Sequence, residues 1–268
     1  MTQPLAEQLR TARVYDLEQP RFAGMPIHPT HKPGYFYALH RRHRDGYQPE
    51  RHGPRTSASG ALTMMEHSGT HIDALAHQAE NMILHGGVHI DSGVQTSVGF
   101  RVHGIDTLEP LVCRGLLLDV ARTQLLPPDH AITRQELEHA ASIEGVEVRT
   151  GDAVLVRTGY GALWTDAPQY LRAAGVSAGG SRWLIERGVR AVGADNIAWD
   201  VTSGPLDPEV GVTLPGHVLL LVRAGIPIIE NLNLEELAEA RVHEFAFVCL
   251  PLKMRGATGS PVRPIALA

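Results

Sequence analysis

Two rhythms of apolar and polar positions run along this chain, and the second half carries the plainer one. Leu116, Leu117 and Leu118 form an unbroken apolar run inside RGLLLDVA, the pattern of a strand buried on both faces. Residues 153–157 repeat it, and further strands are predicted over 189–194, 227–230 and 245–250. Helical periodicity falls between them. Over 133–143 Thr133 is the N-cap and Glu136 stands at N3, a capping box. A second helix is predicted over 177–187, ended by Gly188, with others over 214–224 and 234–240. Strands alternating with helices predict an α/β domain.

The first half is less regular. Residues 4–12 predict a short amphipathic helix, with Leu5 and Leu9 at i, i+4, and 14–17 begin a strand. Gly24, Pro26, Pro29, Pro33 and Gly34 make 23–34 a loop. Residues 40–60 are polar and are a candidate lid, while 62–66 read as a strand. No repeat, low-complexity tract or linker divides the chain. The expectation is one domain over 1–268, with 31–60 as a lid or oligomer-contact insertion.

The strand at 62–66 leads into HSGTHIDALAH, residues 67–77. Gly69 between Ser68 and Thr70 argues for a tight turn rather than a helix interior. His71 and Asp73 are separated by one residue, so in an extended segment they share a side and Ile72 points the other way, into a core. Two imidazoles and a carboxylate so close, His67, His71 and Asp73, are half of a plausible metal site. Three protein ligands and an open position form the hydrolytic pattern, because the vacancy holds a water whose pKa falls to about 7. His77 lies just beyond as a candidate proton shuttle. Against this stands chance clustering in a chain with 15 histidines.

Composition narrows the classes. The chain has 268 residues, 43% hydrophobic and 20% charged, as in ordinary soluble domains. A net charge of −5 gives no reason to expect nucleic acid. No apolar run is long enough for a bilayer span and no signal peptide is evident, so the cytoplasm is the default. Cys113 and Cys249 make no disulfide framework. Arg41, Arg42, Arg44 and Arg51, interleaved with His40, His43 and His52, read first as a solvated segment.

HSGTHIDALAH resembles the HxGTHxDxxxH signature of the cyclase-like metal-dependent hydrolases, a family that includes bacterial kynurenine formamidase and isatin hydrolase. PLKMRGATGSPVRPIAL (251–267) resembles its C-terminal segment. GDAVLVRTGY (151–160) and VGADNIAWD (192–200) resemble its central strands, in the family's order. The resemblance implies a compact α/β domain with a central β-barrel-like mixed sheet and flanking helices, forming homodimers or homotetramers. It also implies that LPGHVLLLVRAGIPIIENLNLEEL completes the metal centre through His217 and Glu230. Formamidase-type members carry both and hold two metals, whereas the isatin-hydrolase type lacks the Glu, so Glu230 leans toward a dinuclear centre. Where kynurenine formamidase has a Trp-Pro-Gly pattern, this chain reads MPIHPTH, with His28 before Pro29.

The expected activity is hydrolysis of a C–N bond in a small amide, formamide or cyclic amide. Zn or Mn, one or two ions, would be held by His67, His71, Asp73, His217 and Glu230. His77 would act as general base and then as acid, its ordinary pKa near 6.5 suiting both roles, or else fix a ligand's tautomer. His28, Phe36, Met65 and Trp199 are candidate substrate walls. A cyclase or dehydratase, or a non-catalytic metal-binding protein, are the alternatives. The proton shuttle argues for an enzyme.

Overall fold

The computed structural model describes residues 4–268. Its frame is a nine-stranded mixed sheet that curls as a half-barrel. In chain order the strands are β1 (Val14–Asp16), β2 (His71–Asp73), β3 (Leu111–Asp119), β4 (Ala153–Arg157), β5 (Ala191–Ala194), β6 (Ile228–Glu230), β7 (Glu244–Cys249), β8 (Gly259–Pro261) and β9 (Ile265–Leu267). Across the sheet they stand in the order β1-β9-β7-β3-β4-β5-β6-β2-β8. The central β3, β4, β5 and β6 are parallel, and every other neighbour is antiparallel.

The apolar runs find this centre because only a strand covered on both faces can hide them. Leu116, Leu118, Val154, Val156 and Ile228 face one way, under α2 (Arg134–Glu144), α3 (Ala178–Glu186) and the 215–224 helix. Leu117, Leu155, Ile229 and Ile72 face the other way, with Tyr15, Leu17, Leu237 and Phe247. The capping box forms as read. Thr133 Oγ1 accepts the Glu136 N–H at 3.3 Å, and the Glu136 carboxylate accepts the Thr133 N–H at 2.7 Å.

Three expectations are met with differences. The amphipathic helix forms as α1 (Leu5–Thr11), yet it buries nothing, and Leu5 and Leu9 are exposed. The strand read over 62–66 forms as Ser59–Met64, but it pairs antiparallel with a strand that was not expected, Tyr35–Arg41, so the polar loop read over 40–60 shrinks to the tip between them. Tyr35, Phe36, Tyr37 and Leu39 are strong strand formers, and the loop reading began too early. The tip between these strands makes only short turns, and its arginines and histidines are exposed, as a solvated segment should be. The 214–224 helix starts at Pro215 and turns π-helical over Val218–Ala224, a widening that is frequent at functional sites. Both cysteines are free. Among the described residues no helix is long and apolar enough to cross a membrane.

Glu144 closes α2. Its Oε1 accepts the Asp119 N–H at 2.7 Å, while the buried Oε2 has no partner. Burial pushes its pKa up to about 7, against the lowering effect of that N–H. The unfolded chain titrates this group near pH 4.3. Stability tied to neutral Glu144 is therefore complete below about pH 4 and is lost as pH rises through 7. Glu144→Gln, which stays neutral, is expected to gain on the parent protein as pH rises from 5 to 8, read from urea midpoints. A difference between the two proteins that is the same at both pH values would contradict this.

Candidate metal centre

β2 is three residues long, and its register decides the site. It lies between β6 and β8, opposing Ile72 to Ile229, His71 to Glu230 and Asp73 to Gly259. Ile72 enters the core at 0% exposure, which sends His71 and Asp73 to the opposite face. Since Glu230 stands across from His71, its carboxylate arrives on that same face, with Oε2 3.3 Å from His71 Nε2.

The turn before β2 brings His67 back over the strand. Gly69 takes φ +65°, where a side chain would be strained and would strike the Arg21 guanidinium. Arg21 donates to the carbonyls of Ser68 and Thr70. Thr70 Oγ1 donates to the Asn231 carbonyl at 2.6 Å, and Asn231 Nδ2 donates to the Gly69 carbonyl at 3.0 Å. So held, His67 Nδ1 lies 2.8 Å from Asp73 Oδ1. After β2 a second turn, His77 N–H to the Ala74 carbonyl at 2.9 Å, folds His77 back as well. Its ring packs 4.0 Å from that of His67, and its Nε2 is 4.0 Å from Asp73 Oδ2. His217 enters from the first turn of the 215–224 helix, Nε2 3.7 Å from Asp73 Oδ2 and 3.3 Å from Glu230 Oε1. All six residues picked from the sequence meet in one place, and all but His77 are fully buried.

The donors fit divalent cations in two groups that share Asp73. His67 Nδ1, His71 Nε2 and Asp73 Oδ1 form one; His217 Nε2, 3.7 Å from Asp73 Oδ2 and 3.3 Å from Glu230 Oε1, centres the other, and His77 stands beside it as a further donor near Asp73 and His217. Ligand bonds of about 2.0–2.2 Å set donors in one shell about 3–3.6 Å apart, close to the separations observed. Asp73 Oδ2 and Glu230 Oε1 are buried without any hydrogen-bond partner. Each such orphan costs about 1–3 kcal/mol, and a cation between them and His217 would remove that cost. The rings are oriented for it. His71 Nδ1 donates to the Gly69 carbonyl at 2.8 Å, His217 Nδ1 to Asp200 at 2.8 Å, and His67 Nε2 to Thr258 Oγ1 at 2.8 Å. Thr258 in turn donates to Glu66. Each ring spends its proton outward and turns a lone pair inward.

Electrostatics agrees. Burial opposes charge on His71 and His217, but Glu230 raises the first pKa and Asp200 and Glu230 the second. Burial would likewise raise the Asp73 pKa, yet the imidazoles around it, His77, His67 and His71, outweigh burial and lower it, the last two carrying the effect where His77 is neutral. Protons here stand in for cations, and binding a cation would expel them. His77 differs: burial lowers its pKa to about 3, so it is a neutral base.

Several supporting residues escaped the sequence reading. Asp200 accepts from the N–H groups of Gly216 (2.7 Å) and His217 (3.1 Å) as well as from the His217 ring. It ends the segment VGADNIAWD, but nothing in the spacing ties it to a histidine seventeen positions on. His31 also reaches the site, its ring stacked 4.8 Å from that of His67. Of the wall candidates, Trp199 is wrong: it is fully buried in the core, with Nε1 donating to Ser181. Phe36 is 61% exposed on the ribbon and Met65 sits at its foot. His28 remains at the site, half-buried and within the field of Glu230 and His217.

The Cyclase family model ("Putative cyclase") matches residues 15–201. The chain belongs to this family. Kynurenine formamidase of Bacillus cereus is 30% identical over 77% of this chain and 78% of its own length. Cyclase-like protein 3 of Oryza sativa subsp. japonica is 28% identical over 80% of this chain and 67% of its own. The crystal structure of a novel cyclase superposes with a TM-score of 0.85 at 28% identity, covering 98% of this chain and 89% of that one. Isatin hydrolase A from Ralstonia solanacearum shares the fold, with a TM-score of 0.74 at 23% identity over 100% and 98% of the two chains.

Asp200→Asn would keep an acceptor for the Gly216 N–H but turn an amide donor toward His217 Nδ1. That forces the ring proton onto Nε2, where no metal can bind. Metal titration is expected to show the His217–Glu230 half weakened by about 10–100-fold, with the His67–His71 half retained. Unchanged affinity in both halves would contradict the assigned role of Asp200.

Proposed function

We propose that this protein is a metal-dependent hydrolase that cleaves the C–N bond of a small amide, formamide or cyclic amide. The observation that carries the reading is the pair of orphaned carboxylate oxygens, Asp73 Oδ2 and Glu230 Oε1, facing His217 Nε2 beside a neutral His77. The first relatives include a kynurenine formamidase, which supports the reaction class. His67, His71 and Asp73 would hold one cation, and His217 and Glu230, with Asp73, a second. Imidazole and carboxylate donors suit Zn or Mn. When bound, the cations polarise the scissile carbonyl and acidify water at the site.

The chain's own groups do the rest. His77 is neutral at working pH and its Nε2 faces the Asp73 side of the site. It takes the proton of the attacking water at Nε2 and passes it to the departing nitrogen. Packing against the His67 ring keeps His77 in place through both transfers. Burial of the ligands keeps bulk water away from these steps.

An assembly of two or four copies accompanies the reading. The exposed Phe36, Tyr37, Leu39 and Leu62 on an otherwise isolated ribbon support it, because a lone two-stranded ribbon is marginal in water.

The test uses an N-formyl arylamine with protein loaded with Zn or Mn. Chelation is expected to abolish turnover and either metal to restore it. His77→Ala is expected to keep its metal and lose about 10²–10⁴-fold in kcat. Near-normal turnover in His77→Ala with metal retained would remove His77 from the chemistry. Full turnover in the chelated protein would overturn the metal-dependent reading.

A further inference from the structure

Two histidines that the chemistry above does not use stand beside the residues of the metal centre. Both come from the loop MPIHPTH, where the sequence lacks the tryptophan of the formamidase pattern. His28 and His31 are each half-buried, with ring centroids 5.9 Å apart. His31 stacks on His67, and one of its nitrogens lies within 4.8 Å of nitrogens on both His67 and His77. His28 Nδ1 is paired with Thr30 Oγ1 at 2.7 Å, which leaves Nε2 for a ligand. Among the described residues no group hydrogen-bonds the ring of His31.

The loop is fixed. Met25 is buried against Tyr160, Trp164 and Tyr170. Trp164 Nε1 donates to the Pro20 carbonyl at 2.7 Å, and the Gln19 side chain donates to the Gly161 carbonyl at 2.9 Å. Pro26 and Pro29 stiffen the remainder. Two imidazoles are therefore presented at a set separation to whatever enters. Polar, pre-placed donors at the rim of a site define what it admits.

We infer that His28 and His31 form a carboxylate-binding wall, so that the substrate is an acidic amide whose carboxylate lies within a few bonds of the scissile carbonyl. The inference rests on the hydrolase reading. Charge-assisted N–H···O bonds of about 2.8 Å let one carboxylate bridge the two rings with an oxygen to each. Two divalent cations outweigh the two carboxylates that face them, so the loaded centre attracts an anion. Glu66, which accepts from Thr258, stands 3.7 Å from His67 Nε2, the ring edge turned away from Asp73. The short reach from His31 to the nitrogens of His67 and His77 sets the length: a distant carboxylate could not touch both the wall and the cations. An aromatic wall would instead favour an extended apolar ring.

The experiment compares N-formyl-2-aminobenzoate with its methyl ester on the metal-loaded protein. The acid is expected to be preferred at least tenfold in kcat/KM, mainly through KM. His28→Phe and His31→Phe are each expected to lower kcat/KM for the acid at least tenfold more than for the ester. His31→Gln, which keeps an N–H donor, is expected to recover part of the preference, and metal content is measured in every variant. His28 touches no proposed metal ligand, so its variant decides the matter if His31→Phe disturbs the centre. Equal kcat/KM for acid and ester in the parent protein, or a preference that survives both Phe substitutions, would overturn the inference alone. Hydrolysis of neither compound would overturn the hydrolase reading and the inference with it.

Discussion

Asp73 is the constraint on which the rest of the structure depends. It is buried, ionised, and faced by imidazoles through both oxygens. A carboxylate cannot be taken out of water without compensation, and an uncompensated one shifts its pKa and neutralises. Here the surroundings do the opposite and hold it charged. Everything nearby follows from supplying positive charge to those two oxygens. His67 arrives through a glycine turn, His71 through the strand and His217 through a helix start, while Glu230, carried in by register, adds a second carboxylate that His71 and His217 also face. The same arrangement leaves two carboxylate oxygens orphaned, which protons on the histidines only partly answer.

Stability and function are coupled at this point. The core on the far side of β2 is set by Ile72 and Ile229, and their pairing fixes which face Glu230 occupies. A one-residue slip of β2 against β6 would send His71 and Asp73 to the wrong side. The apolar pattern of the strands therefore acts as the alignment device for a polar centre. Outside that centre the buried Asp195 accepts from the N–H groups of Thr158, Gly159 and Gly161 and from the Thr158 hydroxyl, and the part-buried Arg157 is held by Asp119 at 2.8 Å and Glu235 at 2.7 Å.

Much of the site was legible because its first half is local. The residues around His67, His71 and Asp73 encode a turn and an alternating strand, and each did form, whereas the second turn that folds His77 back was seen only in the structure. His217 and Glu230 lie far along the chain, and only the family resemblance joined them to the motif. Asp200, Thr258 and Asn231 were not legible, because their roles consist of tertiary hydrogen bonds with no periodicity. The central strands and α2 could be read from continuous apolar runs and a capping box. Of the ribbon only its second strand was read, as 62–66; the first, Tyr35–Arg41, runs into the Arg-rich tip and was not. Trp199 was misread for the usual reason that a large aromatic near a site is more often core than wall.

Anomalous diffraction from a crystal soaked in Mn²⁺ tests the central claim most directly. The account predicts two strong peaks about 3.5–4 Å apart, one on each side of Asp73, the first against His67 and His71 and the second against His217 and Glu230. A single peak at the His67–His71 side would contradict the shared, dinuclear centre. No peak at Asp73 would contradict the metal site altogether.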